Sequence, residues 1–253
     1  MADRLEAALE QGLRDLTLGV PANAQQKLLH YLHLIVKWNK HFNLSGITAI
    51  KEMVPLHLLD SLSVSPYLEG ERILDIGSGA GLPGIPLAIA NPEKDFVLLD
   101  SNGKKTRFLF QVKVALELSN VEVINARVDE YLSTAGIGEF SLITCRAFSS
   151  LSSIVKIIEK PLAGGTKLLA MKGVYPHDEI AELQQYNTPS TLTKNVNDTI
   201  SDTIKNEHSN GLDNCYKVES VIELTVPGVE SQRHIVLIGQ QAAAKALNQA
   251  KER

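Results

Sequence analysis

The chain has little cysteine, no long apolar run and no excess of positive charge, and each absence narrows its possible functions. Its 253 residues include two cysteines, Cys145 and Cys215, which argues against a disulfide framework and predicts a reducing, cytoplasmic environment. No apolar run approaches the length of a membrane span, and no apolar signal segment is present, so no membrane association is expected. Because the formal net charge is −4, a surface that binds nucleic acid would have to be a local patch.

The most informative stretch runs from Asp75 to Gly84 and reads Asp-Ile-Gly-Ser-Gly-Ala-Gly-Leu-Pro-Gly. It follows the apolar residues Ile73 and Leu74 and precedes a predicted helix, which indicates a loop at the end of a first strand. Glycine allows a positive φ and lets the backbone approach a ligand closely. Asp100 ends the next apolar run, where a carboxylate can accept hydrogen bonds from a ribose diol. The pattern predicts a cofactor that contains adenosine.

Two cofactors are compatible with this loop. Residues Gly79 to Gly84 match the dinucleotide pattern G-x-G-x-x-G, with Asp100 about twenty residues further on, so an NAD-dependent oxidoreductase stays open. A pyrophosphate would rest on the helix N-terminus, where the negative charge of Asp75 would repel it. S-adenosylmethionine carries a sulfonium and an ammonium, which a carboxylate attracts. The sequence therefore favours S-adenosylmethionine, with Asp75, Gly77, Gly79 and Asp100 as expected cofactor contacts, in an enzyme or in a non-catalytic binding module.

The rest of the pattern predicts an α/β domain at residues 71–240, preceded by a helical extension at residues 1–70. In the extension, Asn23 and Gln26 resemble a capping box that precedes an apolar helical face. The predicted strands lie near 72–76, 95–100, 121–125, 140–146 and 165–171. The predicted helices lie near 85–90, 104–118, 151–160 and 177–184. This alternation predicts a mostly parallel sheet, and runs at 216–224 and 233–238 around Pro227-Gly228 predict a terminal antiparallel hairpin.

Residues 184–214 differ in composition from the rest of the chain. They are rich in Asn, Thr, Ser and Asp, so they are predicted to form a polar surface insertion in the α/β domain. Apolar residues at every fourth position keep a weak amphipathic helix open as an alternative: Leu192, Val196, Ile200 and Ile204. Residues 241–253 are predicted to be a C-terminal tail. No metal site is predicted.

Several strings together resemble one known family. Trp38-Asn39-Lys40, His57-Leu58-Leu59-Asp60-Ser61 and Gly81-Leu82-Pro83-Gly84 are similar to strings in the bacterial 16S ribosomal RNA guanine-N7 methyltransferases, also called glucose-inhibited division protein B. Further similar strings are Leu98-Leu99-Asp100-Ser101, Arg127-Val128-Asp129, Ser141 through Ala147 and Lys172-Gly173. Apart from the insertion, the resemblance runs from about Lys27 to Gly239.

This resemblance implies a class I S-adenosylmethionine-dependent methyltransferase fold, which is Rossmann-like, with methyl transfer to N7 of one guanosine in 16S ribosomal RNA. It implies that Gly77 and Leu82 line the cofactor, that Val128 and Asp129 flank its adenine, and that Arg146 reaches the same pocket from the fourth strand. The expected partner is 16S ribosomal RNA or a small-subunit particle, and a cytoplasmic monomer is expected.

The implied chemistry asks little of side chains. Guanine N7 has an in-plane lone pair and no proton to lose, so no catalytic residue is predicted and catalysis would come from positioning and electrostatics. Cys145 is therefore interpreted as a structural thiol rather than a nucleophile. Arg146 ends an apolar strand, which favours a supporting site role over a structural ion pair. An arginine that bonds O6 and N7 together would block the acceptor atom, so the base is expected to be unstacked and recognised elsewhere.

Other candidates have two interpretations each. Lys104, Lys105 and Arg107 open the helix after Asp100 and are expected either to hold phosphate or to form a solvated face. Phe148 and Tyr175, after the fourth and fifth strands, would either stack on an unstacked base or pack internally.

The string around His57 has its own alternatives. His57 and Asp60 would either contact RNA or make structural hydrogen bonds. Pro55 and Leu56 depart from the family pattern, in which a helix usually continues at the first position and a basic residue is common at the second.

Overall fold

A seven-stranded sheet forms the centre of the protein in the computed structural model, which describes residues 2–136, 138–186 and 216–240. The strands are β1 Arg72–Ile76, β2 Asp95–Asp100, β3 Val121–Asn125, β4 Leu142–Arg146, β5 Lys167–Lys172, β6 Tyr216–Glu223 and β7 His234–Gln240. They lie in the order β3-β2-β1-β4-β5-β7-β6. The first five pair in parallel, whereas β7 pairs antiparallel with β5 and with β6. The predicted mostly parallel sheet and terminal hairpin are confirmed.

The inner strands are continuous apolar runs because helices cover both faces of the sheet. In β2, all five residues from Phe96 to Asp100 are buried. The predicted strand boundaries agree with the structure to within two residues. The strand order reverses between β1 and β4, so the carboxyl ends of these two strands form the crevice in which such sheets bind ligands.

Ten α-helices lie within the described ranges. They are α1 Ala2–Asp15, α2 Ala22–Phe42, α3 Ile50–Met53, α4 Asp60–Leu62, α5 Gly84–Ala90, α6 Gly103–Ala115, α7 Val128–Thr134, α8 Leu151–Ile157, α9 Glu159–Ala163 and α10 His177–Tyr186. The helix α7 was not predicted, because about two turns are too few to show an apolar stripe. It also extended α6 to residue 118, whereas Glu117 has a φ of 52° and ends the helical path.

The helices before β1 share a core with the sheet. Leu28, Leu32 and Ile35 of α2 are fully buried and belong to the same apolar cluster as Ile85 of α5 and Phe96 of β2. The helix α2 also contacts α6. The extension is therefore packed onto one face of the sheet by ordinary burial of apolar surface.

The capping box predicted at the start of α2 was wrong. The helix begins at Ala22, directly after Pro21, so Asn23 already lies inside it. Pro21 is the N-cap, with an extended conformation of φ −64° and ψ 154°, and it offers no side-chain cap. The side chain of Asn23 instead accepts a hydrogen bond from the backbone N–H of Ala24.

The helical path continues through Pro55 because the helix there widens from an α-helix to a π-helix. The stretch Val54–Leu59 is a π-helix that joins α3 to α4. Proline has no N–H to donate, and an insertion of this kind accommodates the missing bond within a continuous helix. The backbone carbonyl of Leu56 accepts a hydrogen bond from Arg146 Nη1 at 3.3 Å. This bond uses the backbone of Leu56, so it does not depend on which side chain occupies that position.

The terminal hairpin turns at Pro227-Gly228, as predicted, where Gly228 has a φ of 76°. The helix α10 extends to Tyr186, so the first three residues assigned to the polar insertion are helical. The rest of that insertion, including its period-four stripe, and the predicted tail at 241–253 lie outside the described residues. Within the described ranges, no helix combines the length and the apolar character needed to cross a membrane.

Candidate functional site

A cavity of about 370 Å³ opens at the carboxyl ends of the first four strands. Four of the predicted cofactor residues line it together: Gly77, Asp100, Val128 and Asp129. The other lining residues are Ser101, Lys105, Ala126, Arg127, Ala147, Phe148 and Ile157. The cavity lies at the crevice beside the reversal of strand order, which is the expected place for a nucleotide-type ligand.

The glycine loop after β1 forms one wall of the cavity. Gly77 and Gly79 have φ values of 66° and 60°, which residues with side chains rarely adopt. A Cβ atom on Gly77 would lie 2.4 Å from Phe148 Cδ2, so a side chain there would displace the adjoining ring that also lines the cavity. Gly77 therefore presents bare backbone to the cavity, as the sequence predicted, whereas Gly79 is not part of its lining.

Asp100 connects the loop to the end of β2. Its Oδ2 accepts a hydrogen bond from the Gly79 N–H at 2.9 Å, and its Oδ1 accepts one from the Asn102 N–H at 2.8 Å. A carboxylate oxygen has two acceptor sites, so both oxygens keep capacity for a diol. Lys105 Nζ lies 3.9 Å from Oδ2 and lines the cavity beside it. The side chain of Asp100 is therefore oriented before a ligand binds.

Asp75 lies beneath the loop rather than in the cavity lining. It is fully buried, its Oδ2 accepts a hydrogen bond from the Gly84 N–H at 3.2 Å, and its Oδ1 accepts one from Thr144 Oγ1 at 3.2 Å. Burial raises the pKa of Asp75 to about 6, although these hydrogen bonds act in the opposite direction. The expectation that this carboxylate faces a cationic ligand directly is thus not met, because one oxygen holds the start of α5 and the other accepts from Thr144 of β4.

Leu82 also supports the loop from inside. It is buried in the apolar core and does not line the cavity. Next to it, the backbone carbonyl of Ala80 accepts a hydrogen bond from the hydroxyl of Tyr31 on α2 at 2.6 Å. Tyr31 is fully buried, and burial raises the pKa of its hydroxyl strongly. The N-terminal extension is thereby bonded to the glycine loop, a contact that no local sequence pattern signals.

Arg146 likewise lies outside the cavity lining, and its guanidinium is engaged elsewhere. Its Nη1 donates to Asp60 Oδ2 at 2.9 Å, and Asp60 Oδ1 accepts from Arg233 Nε at 2.7 Å. The structural ion pair that the sequence analysis held as the alternative is therefore present. The positive charge of Arg146 is still close enough to Asp75 to oppose the rise of its pKa. A cofactor-binding role for Arg146 stays a prediction.

The turn between β3 and α7 forms the far end of the cavity. Val128 begins α7 and is buried, whereas Asp129 is exposed and pairs with Arg127 at 3.2 Å. Ile157 of α8 and Ala147 face the same space, and Ala147 has a φ of 50° directly after Arg146. Neither was singled out in the sequence, because an isolated alanine or isoleucine carries no chemical pattern. Together these side chains give the far end an apolar surface with a charged rim.

Of three further candidate residues, Phe148 lines the cavity, whereas Cys145 and Tyr175 do not. Cys145 is buried in β4, and burial raises the pKa of its thiol to about 12, so it is not a nucleophile at neutral pH. Phe148 lines the cavity, in agreement with a site role. Tyr175 is 40% exposed and packs against the rings of His177 and His234, away from that lining.

The cavity suits a cofactor that contains adenosine. Its walls combine a carboxylate at the end of β2, bare backbone at Gly77, and apolar surface at Val128 and Ile157. The carboxylate can bind a ribose diol, the bare backbone lets the rest of the cofactor pack closely, and the apolar surface can hold an adenine ring. The lining therefore fits the adenosine of S-adenosylmethionine, but its two carboxylates and two cations do not by themselves distinguish this cofactor from NAD.

Known proteins similar to this chain agree with that chemistry. The sequence model of the family described as rRNA small subunit methyltransferase G matches residues 24–210. This chain belongs to that family. It is 43% identical over 240 residues to the ribosomal RNA small subunit methyltransferase G of Nitrosococcus oceani, which covers 94% of this chain and 96% of the relative. With the protein of the same name from Pseudomonas aeruginosa it shares 41% identity over 235 residues, 92% of this chain and 95% of the relative.

Solved structures agree on the fold. The mitomycin 7-O-methyltransferase MmcR superposes with a TM-score of 0.51 at 13% identity, covering 76% of this chain and 56% of its own. The predicted family, class I methyltransferase fold, enzyme class and S-adenosylmethionine cofactor are confirmed, and the NAD-dependent alternative is set aside.

Proposed function

We propose that this methyltransferase moves the methyl group of S-adenosylmethionine directly to N7 of one guanosine in 16S ribosomal RNA. The observation that carries the proposal is the cavity at the carboxyl end of the sheet, built from Gly77, Asp100, Val128 and Asp129 in a chain of this family. When bound, S-adenosylmethionine supplies an electrophilic methyl group. The N7 position rests on the resemblance of the sequence strings and on the chemistry of the lining.

Five residues would hold the cofactor by contact. The backbone of Gly77 and Gly79 would lie along it, Asp100 would accept hydrogen bonds from the ribose hydroxyls, and Val128 and Asp129 would flank the adenine. Because Asp100 is already fixed by two backbone N–H groups, it needs no reorganisation to bind a diol.

Three further predicted residues would act from behind the loop. Asp75 and Leu82 would keep the loop in shape through α5 and the apolar core. Arg146 would support the site from β4, with its position fixed by Asp60. These roles support cofactor binding without requiring that the three side chains touch the adenosine.

The ionisable side chains in the described lining of the cavity are carboxylates and cations. Among the described lining residues the ionisable ones are Asp100, Lys105, Arg127 and Asp129, and none is a histidine or a cysteine. Guanine N7 attacks through a lone pair and needs no base, which agrees with this composition. Catalysis would come from holding the base in line with the methyl group and from shielding the reaction by residues such as Phe148.

We further propose that the protein acts as a cytoplasmic monomer on the RNA or on a small-subunit particle. Transfer of labelled methyl groups to naked 16S RNA, to a partly assembled particle and to the mature subunit would distinguish these substrates. The proposal expects incorporation into at least one of the three and a monomer in gel filtration. Absence of incorporation into all three, by a protein that binds S-adenosylhomocysteine, would contradict it.

A further inference from the structure

Two helices that pack against each other carry an unusual charge distribution. The helix α2 contains three lysines and three histidines, α6 contains three lysines and one arginine, and neither contains an aspartate or a glutamate. They therefore hold seven of the 25 lysines and arginines and none of the 29 carboxylates. Because the whole chain sums to −4, the rest of it carries a formal net charge of −11. Although the net charge of the chain is negative, the helices α2 and α6 thus form a basic face.

An open groove of about 480 Å³ lies on this face. It is lined by Lys37, Trp38, His41 and Phe42 of α2 and by Arg107 of α6. Lys37, His41 and Arg107 are exposed. Within the described part of the chain, none of these three has a carboxylate within ion-pair distance. Lys37 and Arg107 are thus unpaired cations beside a concave surface, and such cations attract an anionic partner.

Aromatic rings form the floor between these cations. The rings of Trp38 and Phe42 are stacked, with centroids 5.2 Å apart, and Trp38 also contacts Phe108 at 5.9 Å. Both Trp38 and Phe42 are only partly buried. Rings held in this way can stack with bases, and neighbouring cations can bind the phosphates that connect the bases.

The helix α6 borders both the groove and the cofactor cavity. Phe110 and Val114 follow Arg107 at helical spacing and are 54% and 58% exposed. On the same helix, Lys105 lines the cofactor cavity and Arg107 lines the groove. Residues two apart point to nearly opposite sides of a helix, so a partner that contacts both places has to pass around the start of α6, as a polymer can.

We propose that this groove, formed by Lys37, Trp38, His41, Phe42 and Arg107, binds an unpaired segment of the RNA substrate. Its bases stack on Trp38 and Phe42, and its phosphates contact Lys37 and Arg107. RNA is favoured over an acidic protein because the groove offers exposed rings between cations rather than cations alone. The inference rests on the proposed function for the identity of the polymer, and it adds where on the protein the RNA lies.

Trp38 is the sole tryptophan of the chain, so its fluorescence reports on the groove directly. The test is a titration of the whole protein with a 16S RNA fragment that contains an unpaired loop, without S-adenosylmethionine. RNA should quench Trp38, and the double variant Lys37→Gln/Arg107→Gln should bind roughly tenfold more weakly at 0.15 M salt, with a lower salt dependence. The variant should bind S-adenosylhomocysteine as the unaltered protein does.

A matched control removes the same charge at the opposite edge of the sheet. Lys160→Gln/Lys217→Gln changes two exposed cations on α9 and β6, and its affinity for RNA should equal that of the unaltered protein. Dextran sulfate, a polyanion without bases, should compete with RNA but leave Trp38 emission unchanged.

Four outcomes would overturn the inference. The first two are an RNA affinity of the Lys37→Gln/Arg107→Gln variant equal to that of the unaltered protein, and Trp38 emission that is not quenched at saturating RNA. The third is equal quenching of Trp38 by dextran sulfate and by RNA. The fourth is a change of Trp38 emission with protein concentration in the absence of RNA, which would assign the face to a second copy of the chain. Because binding is measured without methyl transfer, a protein that binds RNA here but transfers no methyl group would contradict only the proposed function.

Discussion

Asp60 accepts a hydrogen bond from Arg146 at 2.9 Å, although 86 residues separate them in the chain. The second oxygen of the same carboxylate accepts from Arg233 at 2.7 Å. The side chain of Asp60 is 4% exposed, and those of the two arginines are 23% and 21% exposed. One buried carboxylate therefore joins α4 to the end of β4 and the start of β7, and it fixes the orientation of Arg146.

Replacing Asp60 with asparagine is expected to lower the free energy of unfolding by about 2 kcal/mol, because two partly buried cations lose their counter-charge. Urea unfolding measures the change. Glu10→Gln is the control, since Glu10 pairs with Arg14 at 3.0 Å on the exposed face of α1 and should change stability by less than about 0.5 kcal/mol. Equal stabilities of the two variants would contradict a structural role for Asp60.

Asp100→Ala should weaken the binding of S-adenosylhomocysteine by about 2–3 kcal/mol, since it removes the carboxylate proposed to accept both ribose hydroxyls. Calorimetric titration of the folded variant is the measurement. Asp95→Ala provides a matched control, because Asp95 is the exposed residue at the other end of the same strand. Unchanged affinity in Asp100→Ala, or an equal loss in the control, would refute the assignment.

The buried carboxyl of Asp75 predicts a pH dependence of stability. Its pKa rises from 3.8 to about 6 on folding because burial disfavours the charged form. The folded state therefore keeps the proton longer than the unfolded chain, so this contribution is fully present below about pH 4 and is lost as the pH rises through 6. Two pKa units correspond to about 3 kcal/mol.

Asp75→Asn should remove that contribution. The stability of the unaltered protein, measured by urea unfolding, should fall relative to the variant between about pH 4 and pH 7. Parallel curves for the two proteins would show that Asp75 does not titrate in this range.

Tyr31→Phe should lower the free energy of unfolding by about 1–2 kcal/mol, because the buried carbonyl of Ala80 loses its hydrogen-bond donor. Since Ala80 belongs to the glycine loop, the affinity for S-adenosylhomocysteine should fall as well. Tyr67→Phe, at a half-buried tyrosine before β1, is the control and should leave both quantities near their original values. A stable variant with full affinity would mean that the α2 contact does not support the loop.

Much of this fold follows from local patterns in the sequence. The five parallel strands are apolar runs bounded by glycine or polar residues, so their positions could be predicted to within two residues. The place of Asp100 also follows, since the residue that ends β2 must lie beside the loop after β1 in a parallel pair. These features depend on periodicity and on neighbouring strands alone.

What the sequence could not predict depends on contacts between distant segments. Asp75 was expected to face a ligand, but the start of α5 folds back over its carboxylate. For Arg146, a role at the cofactor pocket stays a prediction, but the partners that hold its guanidinium, Asp60 and the carbonyl of Leu56, could not be identified. In both cases the partner is a backbone group or a residue far along the chain, which no spacing rule identifies.

The acceptor atom is the claim on which the whole account of function depends. Treatment of RNA with borohydride and then aniline breaks the chain at N7-methylguanosine, so 16S RNA methylated by the purified protein can be mapped directly. The account predicts one strong cleavage site, which appears only with S-adenosylmethionine and is much weaker with the Asp100→Ala variant. Methyl incorporation into the RNA without any cleavage would place the methyl group on another atom and contradict the account.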